Sequence, residues 1–171
     1  MKGEAKMAVI AKQHKTEKEK SPYVGLINPK ENLLYAILGG SKTIKKTVKS
    51  DLDYLELSMT GVPKSAIVSV AKYLGLTMKD MADLVNLSPK TLERKKPTDL
   101  LSESVSSQAI EIAATLAHGI QVFDTLEKFN HWVFKENRAL KGKRPINIMN
   151  TATGLKMINA LLTRIEEGVY S

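Results

Sequence analysis

Apolar residues recur every three or four positions through most of the chain after residue 60, which is the spacing of helices that bury one face. The longest stripe predicts one helix from Ser102 to about Phe123. A shorter stripe predicts a helix in "VPKSAIVSVAKYLGL", with Pro63 in its first turn and Gly75 at its end. A third stripe near the end of the chain predicts a helix that closes at Gly168.

The stretch "SDLDYLELSMTG" fits two structures. Leu55, Leu57 and Met59 alternate with polar residues as in a strand. Ser50 and Asp53 have the spacing of a capping box, which begins a helix. We favour the helix because the later segments are helical, and the sequence therefore predicts an all-α fold.

A further helix is predicted in "TLEKFNHWVF". We interpret Asp124 and Glu127 as the capping pair that begins it. Phe129 and Trp132 are assigned to the core, because large aromatic side chains are usually buried in a protein of this size.

The stretch "TMKDMADLVNLSPKTLERKK" predicts two short helices joined by a tight turn. Thr77 begins a capping box for the first helix. Ser88 caps the second, Pro89 takes its first position, and the helix is expected to run to about Lys96. Two short, separately capped helices around a tight turn are typical of a helix-turn-helix.

Three spacings in this stretch fit that motif. Ala82 supplies a small residue where the second helix crosses the first. Asn86, four positions on, tolerates the left-handed backbone conformation that the turn requires. Leu92, ten positions after Ala82, supplies an inward apolar anchor. The same pattern also fits an ordinary helical hairpin, and the outer face of the second helix favours DNA.

The outer face of the second helix is basic. From Ser88 to Lys96 there are four positive charges and one negative charge, that of Glu93, which leaves a net charge of +3. Early residues of a recognition helix usually approach base edges, and basic residues further on bind phosphates. The predicted DNA-facing residues are Lys90, Thr91, Arg94, Lys95 and Lys96. Because one module gives weak specificity, a homodimer or higher oligomer on a two-fold operator is expected.

The composition agrees with a nucleic-acid partner. The chain of 171 residues has 26 Lys and Arg against 18 Asp and Glu, so its net charge is +8, and it has no cysteine. No apolar run approaches the roughly 18 residues that span a membrane. The first twenty residues lack the apolar core of a signal peptide, so the cytoplasm is the expected compartment. Residues 1–50 are interpreted as a basic, partly flexible region.

We find no catalytic constellation in the sequence. His118 and His131 have no second histidine at helical spacing with which to hold a metal. The stretch "ALKGKRP" lacks the glycines of a phosphate-binding loop. The sequence therefore predicts a protein that is not an enzyme and carries no cofactor and no metal.

The C-terminal half has a specific order of features, in "FDTLEKFNHWVFKENRALKGKRPINIMNTATGLKMINALLTRIEEGVYS". The features are Phe123-Asp124, Trp132, Asn137, Ala139-Leu140, Gly142, Pro145, Thr151, Gly154 and the final "RIEEGVYS". In this order they resemble the toxin-binding antitoxin domain of the Xre/MbcA/ParS family. The resemblance extends upstream through the helix-turn-helix to about Leu55 or Gly61, and so covers roughly two thirds of the chain.

This resemblance implies a function and two partners. Members of the family are antitoxins of type II toxin–antitoxin systems. In these antitoxins an Xre-like helix-turn-helix precedes a helical toxin-binding domain. The usual partner is a RES-domain toxin, an enzyme that degrades NAD, and the antitoxin also represses its own operon. The residues carried over as the toxin-binding region are Asn137, Leu140, Gly142, Pro145, Arg164, Glu166, Gly168, Val169, Tyr170 and Ser171. The end of the chain is expected near the active-site opening of the toxin.

Two departures from the family pattern bear on these expectations. Asn86 replaces the more usual glycine of the turn, and "KENRALKGKRP" is more basic than the commonest family form. The predicted division is 1–50 for the N-terminal region, 51–101 for the helix-turn-helix region and 102–171 for the toxin-binding domain. Two alternatives stay open, a transcriptional regulator whose C-terminal half only oligomerises, and an antitoxin for a toxin of another type.

Overall fold

The computed structural model describes residues 33–46, 48 and 50–168, and this part of the chain contains helices and no β-strand. The helices are α1 (Leu33–Ile37), α2 (Gly40–Thr43), α3 (Asp51–Thr60), α4 (Lys64–Leu74), α5 (Met78–Leu84), α6 (Pro89–Arg94), α7 (Glu103–Phe123), α8 (Leu126–Val133) and α9 (Ala152–Glu166). Two 3-10 helices, Arg138–Leu140 and Pro145–Ile148, lie between α8 and α9. An antiparallel bridge joins Pro63 to Leu100. The predicted all-α fold is confirmed.

The long helix α7 lies at the centre of the packing. It contacts α1, α3, α8 and α9. Its inward residues Ala109, Ile112 and Leu116 are completely buried, as the stripe in the sequence predicted. Towards its C-terminal end, Ile120 and Phe123 are only half-buried.

Helix α3 begins with the predicted capping box. The Ser50 hydroxyl oxygen accepts a hydrogen bond from the backbone N–H of Asp53 at 3.3 Å, and the Ser50 N–H donates to the Asp53 carboxylate at 2.9 Å. The helical interpretation of this stretch is therefore confirmed. The alternating apolar residues do not share one face: Leu57 faces the core, whereas Leu55 and Met59 are 55% and 61% exposed.

The junction between α7 and α8 differs from the prediction. Asp124 does not cap α8, because it adopts a left-handed conformation with φ of 65° and ends α7. Thr125 is the residue that caps α8, and its hydroxyl oxygen accepts a hydrogen bond from the N–H of Lys128 at 3.2 Å. The cap therefore lies one position later than expected.

The close approach of α7 and α8 depends on Gly119. A Cβ atom at this position would collide with the ring of Phe129, which is completely buried as predicted. Trp132 is half-buried, and the centroid of its ring lies 5.5 Å from that of Phe123. The rings of Phe123, Phe129 and Trp132 lie 5.5 to 6.3 Å from one another, between centroids, and pack this junction.

The N-terminal helices belong to the same packing. Ile37 and Leu38 are completely buried, and α1 contacts α4 and α7. Of the N-terminal region predicted to be partly flexible, residues 1–32, 47 and 49 lie outside the described residues. The division of the chain at residues 50 and 101 stays a prediction.

Candidate functional site

The stretch from α5 to α6 has the local geometry of a helix-turn-helix. Ala82 and Leu92 are buried at the contact between the two helices, and Asn86 adopts φ of 55° in the turn. The N–H of Leu87 donates to the carbonyl of Ala82 at 2.9 Å, which closes the end of α5. The Ser88 hydroxyl oxygen accepts from the N–H of Thr91 at 3.1 Å and begins α6. The three predicted positions therefore take the predicted conformations.

The outer face of α6 carries the expected cations. Lys90, Arg94 and Lys96 are exposed. Thr91 is half-buried, and its hydroxyl lies 2.8 Å from that of Ser88, with which it shares a hydrogen bond. The helix ends at Arg94, two residues earlier than expected, since Lys95 is already in an extended conformation. The exposed cations thus lie near the start of α6, at its last residue and just beyond it.

Lys95 points partly back towards the chain that follows α6. Its ammonium group donates to the carbonyl of Leu100 at 3.4 Å, and the residue is half-buried. Lys95 therefore stabilises this connection in addition to any contact with DNA.

Lys64 makes side-chain contacts with the end of α6 that the sequence did not reveal. Its ammonium group donates to the carbonyls of Glu93 and Lys95, at 3.2 and 2.8 Å. These carbonyls lie at the C-terminal end of α6, where the helix dipole favours a positive charge. Lys64 therefore holds the end of α6, and only the tertiary arrangement reveals it because a lysine at the start of α4 has no distinctive pattern.

The loop from residue 137 to residue 143 is closed on itself by Asn137. Its carbonyl oxygen accepts hydrogen bonds from the N–H groups of Leu140 and Gly142, at 3.1 and 3.0 Å, and its own N–H donates to the carbonyl of Lys143 at 3.1 Å. Its side-chain oxygen accepts from the N–H of Ala139 at 2.9 Å. We call this arrangement the Asn137 loop.

Two of the predicted toxin-binding residues anchor this region in the core. Leu140 is 5% exposed, and Pro145 is buried at the start of the second 3-10 helix. Gly142 is exposed, with φ of 82°, a conformation that glycine adopts without strain. In this arrangement Leu140 and Pro145 hold the loop in place, and their contact with a partner stays a prediction.

Helix α9 is capped by Thr151 at its start, and its end lies near His118 of α7. The Thr151 hydroxyl oxygen accepts from the N–H of Gly154 at 3.0 Å. At the other end, Arg164 and Glu166 are exposed, and the Glu166 carboxylate lies 3.6 Å from Nε2 of His118. Gly168 is exposed with φ of 70°. Of the predicted toxin-binding residues, Val169, Tyr170 and Ser171 lie outside the described residues.

His118 also contacts α9 through an amide. Its Nδ1 lies 3.0 Å from the side-chain oxygen of Asn159, whose side-chain N–H donates to the hydroxyl of Thr115 at 2.9 Å. The histidine thus joins two helices in a polar network and is not arranged as a metal ligand. Within residues 33–46, 48 and 50–168 there is no group of three or more acidic or histidine side chains that could hold a metal ion.

The helix-turn-helix is joined to the C-terminal region by two side-chain amides. The amide N–H of Asn86 donates to the carbonyl of Asn150 at 2.9 Å. The amide N–H of Gln108 donates to the carbonyls of Met149 and Leu84, at 2.7 and 3.3 Å. These two side chains connect the turn, the central helix and the segment before α9.

Two family models match the chain in tandem. The model of the antitoxin Xre-like helix-turn-helix domain matches residues 53–114. The model of the antitoxin Xre/MbcA/ParS C-terminal toxin-binding domain matches residues 118–168. Both describe antitoxins, which are binding and regulatory proteins and not enzymes. The chain belongs to the Xre/MbcA/ParS family of antitoxins, as the resemblance in its sequence predicted.

The chain is also similar to individual known proteins. The chain is 24% identical to the mycobacterial cidal antitoxin MbcA of Mycobacterium bovis and to that of Mycobacterium tuberculosis. Each match extends over 106 residues, which are 62% of this chain and 93% of the relative. A solved structure, the M. tuberculosis MbcT–MbcA toxin–antitoxin complex, contains a chain that is 25% identical, with a TM-score of 0.47, over 63% of this chain and 96% of that one. No helix among the described residues is long and apolar enough to cross a membrane.

Proposed function

We propose that this antitoxin neutralises a cognate RES-domain toxin, which degrades NAD, and represses its own operon by binding operator DNA in the cytoplasm. The observation that carries the proposal is the tandem match of a helix-turn-helix model and a toxin-binding model on one chain. The RES identity of the toxin rests on the resemblance between this sequence and the family. The proposal assigns the two activities to different surfaces of one protein.

The DNA-binding surface is the outer face of α6. Its support is the exposure of Lys90 and Arg94 on a helix whose inner face is anchored by Leu92, and of Lys96 just after that helix. Arginine can bind a guanine through two hydrogen bonds, and lysines bind phosphates as point charges. Since Lys and Arg contacts release counterions from DNA, the affinity for the operator should fall steeply as salt is added.

A second copy of the chain is part of this proposal, because a helix-turn-helix module reads a two-fold operator as a dimer. The surface that we assign to the second copy is the α3 stripe, formed by Leu52, Leu55 and Met59 at positions i, i+3 and i+7. These side chains are 70%, 55% and 61% exposed, and the spacing is that of a helix that packs against another helix.

The position of the α3 stripe suits this role. Directly after α3, the carbonyl of Val62 accepts a hydrogen bond from the N–H of Leu101 at 2.9 Å, and the N–H of Lys64 donates to the carbonyl of Asp99 at 2.9 Å. The strand-like pairing joins the end of α3 to the chain that leaves α6. A dimer formed through the stripe would therefore hold two recognition helices at a fixed separation.

Light scattering of the purified chain tests the dimer. A Leu55→Glu variant should be a monomer at concentrations where the wild type is a dimer or larger. A Met157→Glu variant is the matched control, because Met157 is also an exposed apolar residue, 46% exposed, but lies on α9. A wild-type monomer, or a Leu55→Glu variant that stays dimeric, would contradict the assignment.

The toxin-binding surface comprises the Asn137 loop, the exposed end of α9 and the residues that follow it. All described members of this set lie within the range of the toxin-binding model, which ends at residue 168. Arg164 and Glu166 are exposed at the end of α9. We assign the final residues Gly168–Ser171 to contact with the active-site opening of the toxin.

Capture from the native cell tests the function. The full chain and a chain that ends at Glu167, both with N-terminal tags, are used to recover partners, which mass spectrometry identifies. Recovery of a RES-domain protein with the full chain and less with the shortened chain supports both the antitoxin function and the role of the last four residues. Equal recovery of the toxin with both chains would contradict the role of the last four residues. Recovery of operator DNA without any toxin would instead favour a regulator whose C-terminal half only oligomerises, and a toxin of another type would correct the RES assignment.

A further inference from the structure

An open groove of about 870 Å³ lies along the end of α8 and the Asn137 loop. His131 and Phe134 line it from α8 and the residue after it. Arg138 lines it from the loop, and Arg144 from the residue that follows the loop. The ring of Phe134 is partly exposed, although phenylalanine is normally buried. The groove therefore offers an aromatic surface beside two guanidinium groups.

The segment that forms the loop is the most basic part of the described chain. Residues 135–144 contain five positive charges and one negative charge, that of Glu136, for a net charge of +4. Between described residues, none of these five cationic side chains makes a hydrogen bond or an ion pair. The net charge of the whole chain is +8, so half of it is concentrated in these ten residues. Their cationic side chains have no carboxylate partner among the described residues.

The cations are held by a fixed backbone. Asn137 closes the loop with four hydrogen bonds, and Leu140 anchors it in the core. The backbone that carries Arg138 and Arg144 therefore loses little freedom when a partner binds, which lowers the entropic cost of association. The mutual repulsion of cations on such a loop is relieved when carboxylates bind between them.

We propose that this groove binds an acidic segment of the toxin, with carboxylates at Arg138 and Arg144 and an apolar side chain against Phe134. The inference rests on the proposed toxin binding and adds the chemistry of the partner. Arginine matches a carboxylate with two parallel hydrogen bonds, so each arginine selects the orientation of the carboxylate as well as its charge. Charged pairs at an interface raise the rate of association and discriminate against the wrong partner. The groove is therefore a specificity determinant of this antitoxin.

Two observations favour a protein segment over nucleic acid in this groove. The lining residues all fall within residues 118–168, which match the toxin-binding model. The helix-turn-helix carries its own exposed cations, Lys90, Arg94 and Lys96, on a different element. The basic groove is thus a second cationic surface within the part of the chain that binds toxin.

The test uses the RES-domain protein that the wild-type chain recovers, after it has been identified and purified. Its affinity is measured for the wild type, for Arg138→Glu/Arg144→Glu and for Lys42→Glu/Lys45→Glu. The control variant makes the same change in net charge at two exposed lysines, which lie outside the groove and outside both family models. Melting temperatures verify folding, and Arg138→Gln/Arg144→Gln replaces the first variant if that variant does not fold.

We expect the groove variant to bind the toxin at least about tenfold more weakly, mainly through slower association, while the control stays within about twofold of the wild type. Equal toxin binding by the groove variant and the wild type would overturn the inference and leave the antitoxin function intact. Equal losses in both variants would also overturn it, because only net charge would then matter. Loss of operator binding without loss of toxin binding would assign the groove to DNA. Failure of the wild type to recover any toxin would instead contradict the proposed function itself.

Discussion

The side-chain amide of Asn86 donates a hydrogen bond to the backbone carbonyl of Asn150, which lies 64 positions later in the chain. Asn86 therefore has two structural roles. Its backbone adopts the left-handed conformation of the turn between α5 and α6, and its side chain ties that turn to the segment before α9. The glycine that is more usual at this position could perform only the first role.

The two roles of Asn86 can be separated by substitution. Asn86→Gly keeps the left-handed backbone and loses the exposed hydrogen bond, so we expect a decrease in the free energy of unfolding of up to about 1 kcal/mol. Asn86→Ala loses the bond and also places an ordinary side chain in the left-handed region, which costs roughly a further 1–2 kcal/mol. Urea unfolding measures both. An alanine variant as stable as the glycine variant would contradict the importance of the backbone conformation.

Ser106 provides a buried link between the start of α7 and the chain before α4. Its hydroxyl oxygen accepts a hydrogen bond from the N–H of Val62 at 3.0 Å, and its O–H donates to the carbonyl of Leu101 at 3.3 Å. Ser106→Ala should lower the free energy of unfolding by about 1–3 kcal/mol, because it leaves a buried N–H without an acceptor.

The neighbouring serine is the control for this prediction. Ser107 is exposed on the same turn of α7, and Ser107→Ala should change the free energy of unfolding by less than about 0.5 kcal/mol. Thermal or urea unfolding of the two variants gives the comparison. If both substitutions have the same small effect, the Ser106 link does not stabilise the fold.

Tyr54 makes the stability sensitive to alkaline pH. Burial raises the pKa of its hydroxyl from 10.0 to about 12, and its buried oxygen has no hydrogen-bond partner among the described residues. Since the folded protein favours the neutral phenol, this contribution to stability is fully present below pH 10 and is lost as the pH rises through about 12.

Tyr54→Phe tests this pH dependence. The variant should be as stable as the wild type at pH 7, because the phenylalanine removes an unpaired polar atom from the core. Between pH 10 and 12 it should lose less stability than the wild type, and melting temperatures across that range measure the difference. Parallel pH profiles for the two proteins would show that the Tyr54 hydroxyl is not the responsible group.

Arg94 is the exposed arginine on the outer face of α6. If it binds a base, Arg94→Ala should weaken operator binding by about 1–3 kcal/mol and leave toxin binding unchanged. Fluorescence anisotropy with DNA from upstream of the gene measures the first effect. Unchanged affinity for DNA would remove Arg94 from the reading surface, and weaker toxin binding would contradict the separation of the two surfaces.

Local features of the fold could be predicted from the sequence because caps and turns are encoded by neighbouring residues. Thr77, Ser88 and Thr151 each accept a backbone hydrogen bond at the start of a helix, and Gly75 ends α4 in the left-handed conformation. The position of the cap before α8 was wrong because Asp124 and Thr125 are both good capping residues. The backbone conformation at the end of α7, where Asp124 is left-handed, determines which of the two residues caps α8.

Contacts between distant residues could not be predicted in this way. Lys64 and Gln108 have ordinary polar sequence surroundings, yet their side chains bind carbonyls on other elements, up to 41 positions away. Such partners depend on the packing of whole helices, which no local pattern specifies. The groove beside Phe134 was missed for the same reason, although the basic segment that forms one side of it is evident in the sequence.

We propose that this chain inhibits an NAD-degrading toxin, and the consumption of NAD by the purified RES-domain partner tests this inhibition most directly. The rate is measured while the full chain is added in increasing amounts. We predict that NAD loss stops when the chain reaches a stoichiometric ratio to the toxin. NAD loss at an undiminished rate with excess folded chain present would contradict the claim.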